Sequence, residues 1–175
     1  MAKSSKKEIE RDEKKVLYEL MGNSNQSIND ISNKLGFSRQ KVWRIIKKLE
    51  DEKTVWGYTA VVNNDKIGMK LYILMGNRTT KPIPKEKVDF VINKNFEKLA
   101  KKNNCILYST YYLHGEIDFI SAFKAVNLSD AKRFQEEFNR LYQGFIEATK
   151  LHEVLFTLRE TCVFNPDINK LTEFF

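Results

Sequence analysis

Apolar residues recur at helical spacing in three consecutive segments near the start of the chain. In residues 7–21 they form one stripe among charged side chains, made of Ile9, Val16, Leu17 and Leu20. A second, shorter stripe consists of Ile28, Ile31 and Leu35. A third consists of Val42, Ile45, Ile46 and Leu49. This spacing predicts three amphipathic helices, each of which buries one face.

Cap and turn residues separate these three segments. Ser27 is suited to cap the second helix, with Asp30 three residues later as a weaker form of the capping box. Gly36 supplies the left-handed residue that ends that helix, and Ser38 can cap the third. Two short helices joined by a tight glycine turn form the helix-turn-helix pattern.

The remainder of the chain alternates strand and helix patterns. The residues at 54–63 are β-branched and aromatic, which predicts a hinge strand. Later segments predict strands at 70–80, 105–113, 117–125 and 146–158, a helix at 85–102, and a second helix capped by Ser129. A turn at His114–Glu116 joins the two middle strands. The order βαββαβ predicts a ferredoxin-like unit.

The predicted fold class is therefore α+β, with a winged-helix-like helix-turn-helix domain joined by a hinge strand to a ferredoxin-like domain. The predicted bounds are 1–62 for the first domain, 63–69 for a linker, 70–160 for the second domain and 161–175 for a C-terminal extension. Apolar residues of that extension, such as Phe175, are expected to pack on their own domain.

The strand at 105–113 has apolar residues on both predicted faces. One face is expected to carry Ile106, Tyr108 and Tyr112, and the other Leu107, Tyr111 and Leu113. Two helices can cover only one face of a four-stranded sheet, so the second face needs another layer. A second copy of the chain is the simplest source of that layer, and we favour a homodimer over tyrosines that tolerate exposure.

Charge indicates a polyanionic partner. The 175 residues include 30 Lys and Arg against 23 Asp and Glu, a net charge of +7. Five cations fall within ten residues of the third helix: Arg39, Lys41, Arg44, Lys47 and Lys48. Cations often only solvate a helix face, but their position in a complete helix-turn-helix favours double-stranded DNA.

The side chains of the predicted helix-turn-helix that could contact DNA divide into two groups. Those expected to contact bases are Ser38, Arg39, Gln40 and Arg44, because Arg can pair with guanine and Gln with adenine. Those expected to contact phosphates are Ser27, Lys41, Lys47 and Lys48. Trp43 lies at the edge of the apolar stripe and is expected to belong to the core.

The sequence offers no pattern for membrane insertion or catalysis. The N-terminal residues lack an apolar signal segment and no apolar run is long enough to cross a bilayer, so a cytoplasmic protein without a membrane partner is expected. Cys105, Cys162, His114 and His152 form no metal or nucleophile pattern. We therefore predict no catalytic residue, no metal and no cofactor.

The segment "DISNKLGFSRQKVWRIIKKLEDEKTVWGYTAVVNNDKIG" resembles the helix-turn-helix and hinge of the leucine-responsive regulator/AsnC family of transcription regulators. The hairpin "LHGEIDFISAF" resembles the Gly-x-x-Asp segment of that family's ligand-sensing domain. The resemblance implies a homodimer joined through its C-terminal sheets, further assembly into tetramers or octamers, operator binding and a response to amino acids. It also places Gly115 and Asp118 near the effector pocket.

The hairpin departs from the family pattern at Ile117, where an aromatic residue is usual, and at His114, where a small polar residue is common. Glu116 or Asp118 could receive the α-amino group of a ligand, although acidic residues at turns are often only solvated. Two other functions remain open: an enzyme that resembles tetrapyrrole (sirohaem) decarboxylases, and an amino-acid sensor that does not bind DNA.

Overall fold

A computed structural model describes residues 5–175. Residues 1–4, with which the predicted first domain begins, lie outside the described part. The chain divides into two compact units. One unit combines the residues up to 61 with residues 157–175, and the other contains residues 62–156.

Three helices form the first unit: α1 (Lys6–Gly22), α2 (Ile28–Leu35) and α3 (Arg39–Asp51). All three were predicted from the apolar spacing. Their buried faces meet in a core of Val16, Leu20, Ile31, Val42, Ile45 and Leu49. The prediction for Ile9 is wrong, because this side chain is exposed and Asp12 is buried instead. Asp12 lies four residues before Val16, which places it on the same helix face.

The predicted turn between α2 and α3 is confirmed. The Ser27 hydroxyl accepts a hydrogen bond from the Asp30 backbone N–H at 3.1 Å, and the Asp30 carboxylate accepts from the Ser27 backbone N–H at 3.2 Å. Gly36 has φ +66°, the left-handed conformation that glycine adopts without steric cost. The Ser38 hydroxyl accepts from the Lys41 backbone N–H at 3.2 Å and caps α3.

The predicted hinge strand does not form in the single chain. The structure assigns no strand to residues 54–63, and Trp56 is 95% exposed. A strand requires a neighbouring backbone to satisfy its N–H and C=O groups, and sequence pattern alone does not supply one.

The C-terminal residues add a short hairpin of β5 (Arg159–Glu160) and β6 (Val163–Phe164) to the first unit. A 3₁₀ helix at Ile168–Phe174 follows. Phe175 is 99% exposed, so the expectation that this side chain packs on its own domain is wrong.

The second unit contains a four-stranded antiparallel sheet in the order β2-β3-β1-β4. Its strands are β1 (Lys70–Gly76), β2 (Cys105–Tyr112), β3 (Phe119–Ala125) and β4 (Lys150–Glu153). Its helices are α4 (Lys85–Ile92), α5 (Asn95–Lys102) and α6 (Leu128–Leu141), and a 3₁₀ turn at Asp65–Ile67 precedes β1. This arrangement confirms the ferredoxin-like prediction.

Two helix predictions in this unit need correction. The single helix predicted at 85–102 is broken into α4 and α5, because Lys94 adopts a left-handed conformation with φ 55°. The cap of α6 is Asn127 rather than Ser129, since the Asn127 side chain accepts from the Asp130 backbone N–H at 2.9 Å.

One face of the sheet packs against α5 and α6. Aromatic rings dominate this core, and Phe134 lies with its centroid 4.8 Å from that of Phe123 and 5.4 Å from that of Phe96. The other buried side chains of the core include Tyr72, Leu74, Cys105, Phe119 and Phe138.

The opposite face of the sheet, which we call the open face, is not covered by the helices of the unit, although Lys124 on this face is buried beside the Tyr108 ring. Register places Ile106 opposite Lys124, and Tyr111 opposite Ile120, on this face. Ile106 is 54% exposed and Tyr111 is half exposed. The register shifts between Leu107 and Ser109, so the predicted alternation along this strand is wrong beyond Leu107. A one-residue bulge exchanges the two faces for every residue that follows it.

Candidate nucleic-acid interface

The outward face of α3 carries polar side chains that have no partner among residues 5–175. Val42, Ile45 and Leu49 turn the opposite face into the core. Gln40 and Arg44, four residues apart, therefore lie together on the solvent side. Within residues 5–175, the side chains of Arg39, Gln40 and Arg44 make no hydrogen bond or ion pair, and all three are exposed. These side chains are available to an external partner.

Two of the predicted phosphate contacts are instead paired with acids of α1. Lys41 Nζ lies 2.6 Å from Asp12 Oδ2 and 4.0 Å from the centroid of the Phe37 ring. Lys48 Nζ lies 2.6 Å from Glu13 Oε1. The hydrogen bond to Glu13 raises the pKa of Lys48. Both lysines thus join α3 to α1 in the free protein.

Lys47 has a weaker attachment, within α3 itself. Its Nζ lies 2.9 Å from Glu50 Oε2, and this hydrogen bond raises the pKa of Lys47 and lowers that of Glu50. The Tyr58 hydroxyl donates to the same carboxylate at 3.0 Å. Exposed ion pairs of this kind contribute little to stability, so an external anion can displace Glu50.

Ser27 lies at the start of α2, where its exposed hydroxyl also donates to Asp30 Oδ2 at 2.6 Å. The hydrogen bond from Ser27 lowers the pKa of Asp30. The structure thus assigns Ser27 a capping role, and the same exposed helix end remains open to solvent.

Sequence reasoning missed three residues of this surface. Asp12 and Glu13 were not identified as partners of the α3 lysines, although Asp12 falls on the apolar stripe at four residues from Val16. An acid on a buried stripe is a signal for a cationic partner. The prediction that Trp43 belongs to the core is wrong, because its side chain is 51% exposed.

The hairpin between β2 and β3 holds the predicted effector residues. Asp118 Oδ2 accepts from the Arg78 backbone N–H at 2.7 Å, and the Asp118 backbone N–H donates to Asn77 Oδ1 at 3.2 Å. Asp118 therefore fixes the hairpin to the end of β1. Gly115 has φ +153°, and Glu116 is exposed and without a side-chain partner among the described residues.

In the span 5–175, no three His, Cys, Asp or Glu side chains gather in a way that could hold a metal ion. No described helix is long and apolar enough to span a membrane. Cys105 is buried and Cys162 is exposed, and burial raises the pKa of the Cys105 thiol to about 11.

Known proteins with similar sequences contain the same helix-turn-helix that the structure shows in the first unit. Residues 13–55 match the family model for winged helix-turn-helix DNA-binding domains. An HTH-type transcriptional regulator of Pyrococcus abyssi is 29% identical over 88% of this chain and 97% of its own length. The leucine-responsive regulatory protein of Haemophilus influenzae is 23% identical over 76% of each chain.

A solved structure agrees over both units. A transcriptional regulator of Neisseria meningitidis, in complex with L-methionine, superimposes with a TM-score of 0.63 at 18% identity. The match covers 91% of this chain and 94% of that one. The two proteins share the fold from the three helices to the four-stranded sheet.

Proposed function

We propose that this chain, a helix-turn-helix transcription regulator of the leucine-responsive regulator/AsnC type, places α3 in the major groove of double-stranded DNA. The observation that carries the proposal is the outward face of α3, where Arg39, Gln40 and Arg44 have no partner among the described residues. A major groove accepts one α-helix, and side chains near the start of that helix reach base edges.

The base-reading group in this proposal is Ser38, Arg39, Gln40 and Arg44. The phosphate-binding group is Ser27, Lys41, Lys47 and Lys48. Within the second group, Lys47 is the lysine most easily released to a phosphate, because among the described residues it pairs only with Glu50 of its own helix, in an ion pair at the surface. Lys41 and Lys48 must first exchange a carboxylate of α1 for a phosphate. The intramolecular ion pairs therefore reduce the favourable binding free energy that these two lysines can contribute on any DNA.

Paired substitutions on one helix face test the division into bases and phosphates. Arg44→Ala should weaken binding to the operator by about 5- to 150-fold and to unrelated DNA much less. Lys47→Ala should weaken both about equally and lower the salt slope by about one. Lys47 is a cleaner control than Lys48, which also joins α3 to α1. Titration of operator and scrambled duplexes at several salt concentrations provides the measurement.

Equal proportional losses in the two variants would contradict the assignment of Arg44 to base readout. Failure of the wild-type protein to retard any fragment of its own promoter region would favour the amino-acid sensor that does not bind DNA. A Soret band, or retention of added haem or sirohaem, would favour the decarboxylase-like enzyme.

The proposal includes a homodimer joined through the open face of the sheet, with further assembly to tetramers or octamers. Support comes from the apolar side chains of that face, which no element of the unit covers. A two-fold dimer presents two recognition helices to one side of a duplex. We therefore expect an operator of approximate two-fold symmetry, with half-sites separated by whole helical turns. A cytoplasmic location is also part of the proposal.

We also propose that an amino acid modulates the regulator at the hairpin of Gly115, Glu116 and Asp118. Support comes from the Neisseria meningitidis relative, whose structure contains L-methionine. Glu116 is the better candidate to bind the α-amino group, because the Asp118 carboxylate already accepts a hydrogen bond from the Arg78 backbone N–H.

Calorimetric titration with L-methionine tests this assignment. The Glu116→Gln variant should bind L-methionine more weakly than wild type. The control is Glu136→Gln, which changes an exposed acid of α6 and should leave the affinity for L-methionine unchanged. Equal binding by both variants would exclude Glu116 as the contact.

A further inference from the structure

Trp43 lies on the part of α3 that carries the unpaired polar side chains. It is four residues from both Arg39 and Lys47 and three from Gln40, so it shares their side of the helix. Its side chain is 51% exposed. Within residues 5–175, the indole makes no hydrogen bond, ring stacking or cation–π contact.

No contact within the described part of the free protein explains why a tryptophan occupies this exposed position. Large aromatic side chains gain stability from burial, and the core of the first unit is complete without Trp43. Its neighbours along the outward face are polar or cationic, so water surrounds the ring on that side. An external apolar surface would therefore stabilise it.

The major groove offers one apolar feature among its donors and acceptors, which is the C5 methyl group of thymine. Gln40 is suited to bind adenine, the partner of thymine in an A·T pair. Three residues of helix advance about 4.5 Å along the axis, close to the roughly 3.4 Å rise of one base pair. Trp43 can thus reach the base pair next to the one that Gln40 reads.

We propose that Trp43 is a specificity-determining residue whose indole packs on the C5 methyl group of a thymine in each operator half-site. This inference rests on the proposed insertion of α3 into the major groove and adds a contact to it. The base pair beside the Gln40 contact is then an A·T pair, with its thymine methyl directed at the indole.

The test replaces each operator thymine in turn with uracil, which removes only the methyl group. At one thymine position per half-site, wild-type protein should bind the uracil duplex about fourfold more weakly, as expected for one buried methyl group. Trp43→Ala should bind the thymine and uracil duplexes equally at that position. Trp56→Ala is the matched control, because Trp56 is an exposed tryptophan outside α3, and it should keep the wild-type preference.

Each other outcome overturns the inference. If no thymine position matters to the wild type, or if Trp43→Ala keeps the preference, the indole does not read a methyl group. If Trp43→Ala instead changes the mass in light scattering with the preference intact, the indole contacts a second copy of the chain. Binding of operator without a thymine preference refutes only this inference, whereas no binding to any DNA refutes the proposed function as well.

Discussion

At the scale of single residues, the clearest feature is the pairing of α3 lysines with acids of α1. Asp12 is buried and 2.6 Å from Lys41, whereas Glu13 holds Lys48 at the same distance. These pairs set the position of α3 and also occupy cations that DNA would otherwise attract. Stability and electrostatic affinity therefore oppose each other at these residues.

Asp12→Asn should lower the stability of the fold and raise the affinity for random DNA. Loss of the charged hydrogen bond should lower the free energy of unfolding by about 1–3 kcal/mol. The released Lys41 should strengthen binding to random DNA and raise the salt slope by about one. Urea denaturation and salt-dependent titration provide the measurements. Glu10→Gln, which removes an exposed charge from the same helix, should leave stability unchanged, and equal behaviour of the two variants would contradict the role of Asp12.

The two cysteines should differ in reactivity with a thiol reagent. Cys162 is exposed and should react in the native protein, whereas Cys105 is buried and should react only after unfolding. Titration of accessible thiols in native and denatured protein measures this difference. Reaction of two thiols per native chain would show that the interior of the second unit is open.

Burial of Cys105 should also make stability depend on alkaline pH. Its folded-state pKa is raised to about 11 from an ordinary 9.0, because burial disfavours the thiolate. The contribution of the protonated thiol is therefore complete below pH 9 and lost as pH rises towards 11. Between about pH 8 and about pH 10.5, wild type should lose more free energy of unfolding than Cys105→Ala. An identical pH dependence would contradict this role.

At the scale of elements, the break between α4 and α5 is the main irregularity. Lys94 adopts φ 55°, a conformation that costs a residue with a side chain roughly 1–2 kcal/mol. The break allows Phe96 to enter the core while Ile92 remains 68% exposed. The apolar spacing of the segment does not reveal this change in direction.

Glycine substitutions should change the free energy of unfolding in opposite directions at the break and in the helix that follows it. Lys94→Gly should raise the free energy of unfolding by up to about 1 kcal/mol, because glycine adopts the left-handed conformation freely. Lys98→Gly, in the interior of α5, should lower it by about 1 kcal/mol. Urea denaturation of both variants provides the comparison, and a loss of stability at both positions would argue against the left-handed residue.

Local signals in the sequence predict the elements well where neighbours in the chain supply the chemistry. The Ser27 and Ser38 caps and the turn at Gly36 depend on side chains and backbone a few residues apart. The bulge after Leu107 and the lack of backbone pairing of segment 56–63 among the described residues depend on distant strands, so periodicity within one segment could not predict them. For the site, spacing identified Arg39, Gln40 and Arg44 on one helix. The ion pairs of Lys41 and Lys48 with acids of α1 could not be predicted in this way, because they depend on how α1 packs against α3.

At the scale of the whole molecule, the open face of the sheet is the surface on which the proposed dimer depends. Its side chains from three strands include Ile73, Ile106 and Ile120. Isolated chains would leave this apolar surface in contact with water, which is unfavourable in proportion to its area. Pairing of two such faces would remove both from solvent at once.

Wild-type protein should have a mass of about 41 kDa or a multiple of it in light scattering, which is twice the 20.6 kDa of one chain. Ile106→Asp should shift the mass towards one chain, because a carboxylate on the open face would be desolvated in the dimer. Ile92→Asp introduces the same change at an exposed position on α4 and should leave the mass unchanged. A clean monomer for the wild type would contradict the dimer.

The segment 56–63, whose backbone N–H groups have no partner among the described residues, has one further consequence, which concerns its amide hydrogens. Backbone N–H groups outside a strand or helix exchange with solvent far faster than those in a cooperative core. Deuterium labelling should therefore show a fast-exchanging interval between two slow ones, α3 and β1. Slower exchange in this interval on addition of DNA, L-methionine or more protein would identify the binding event that supplies its missing backbone partners.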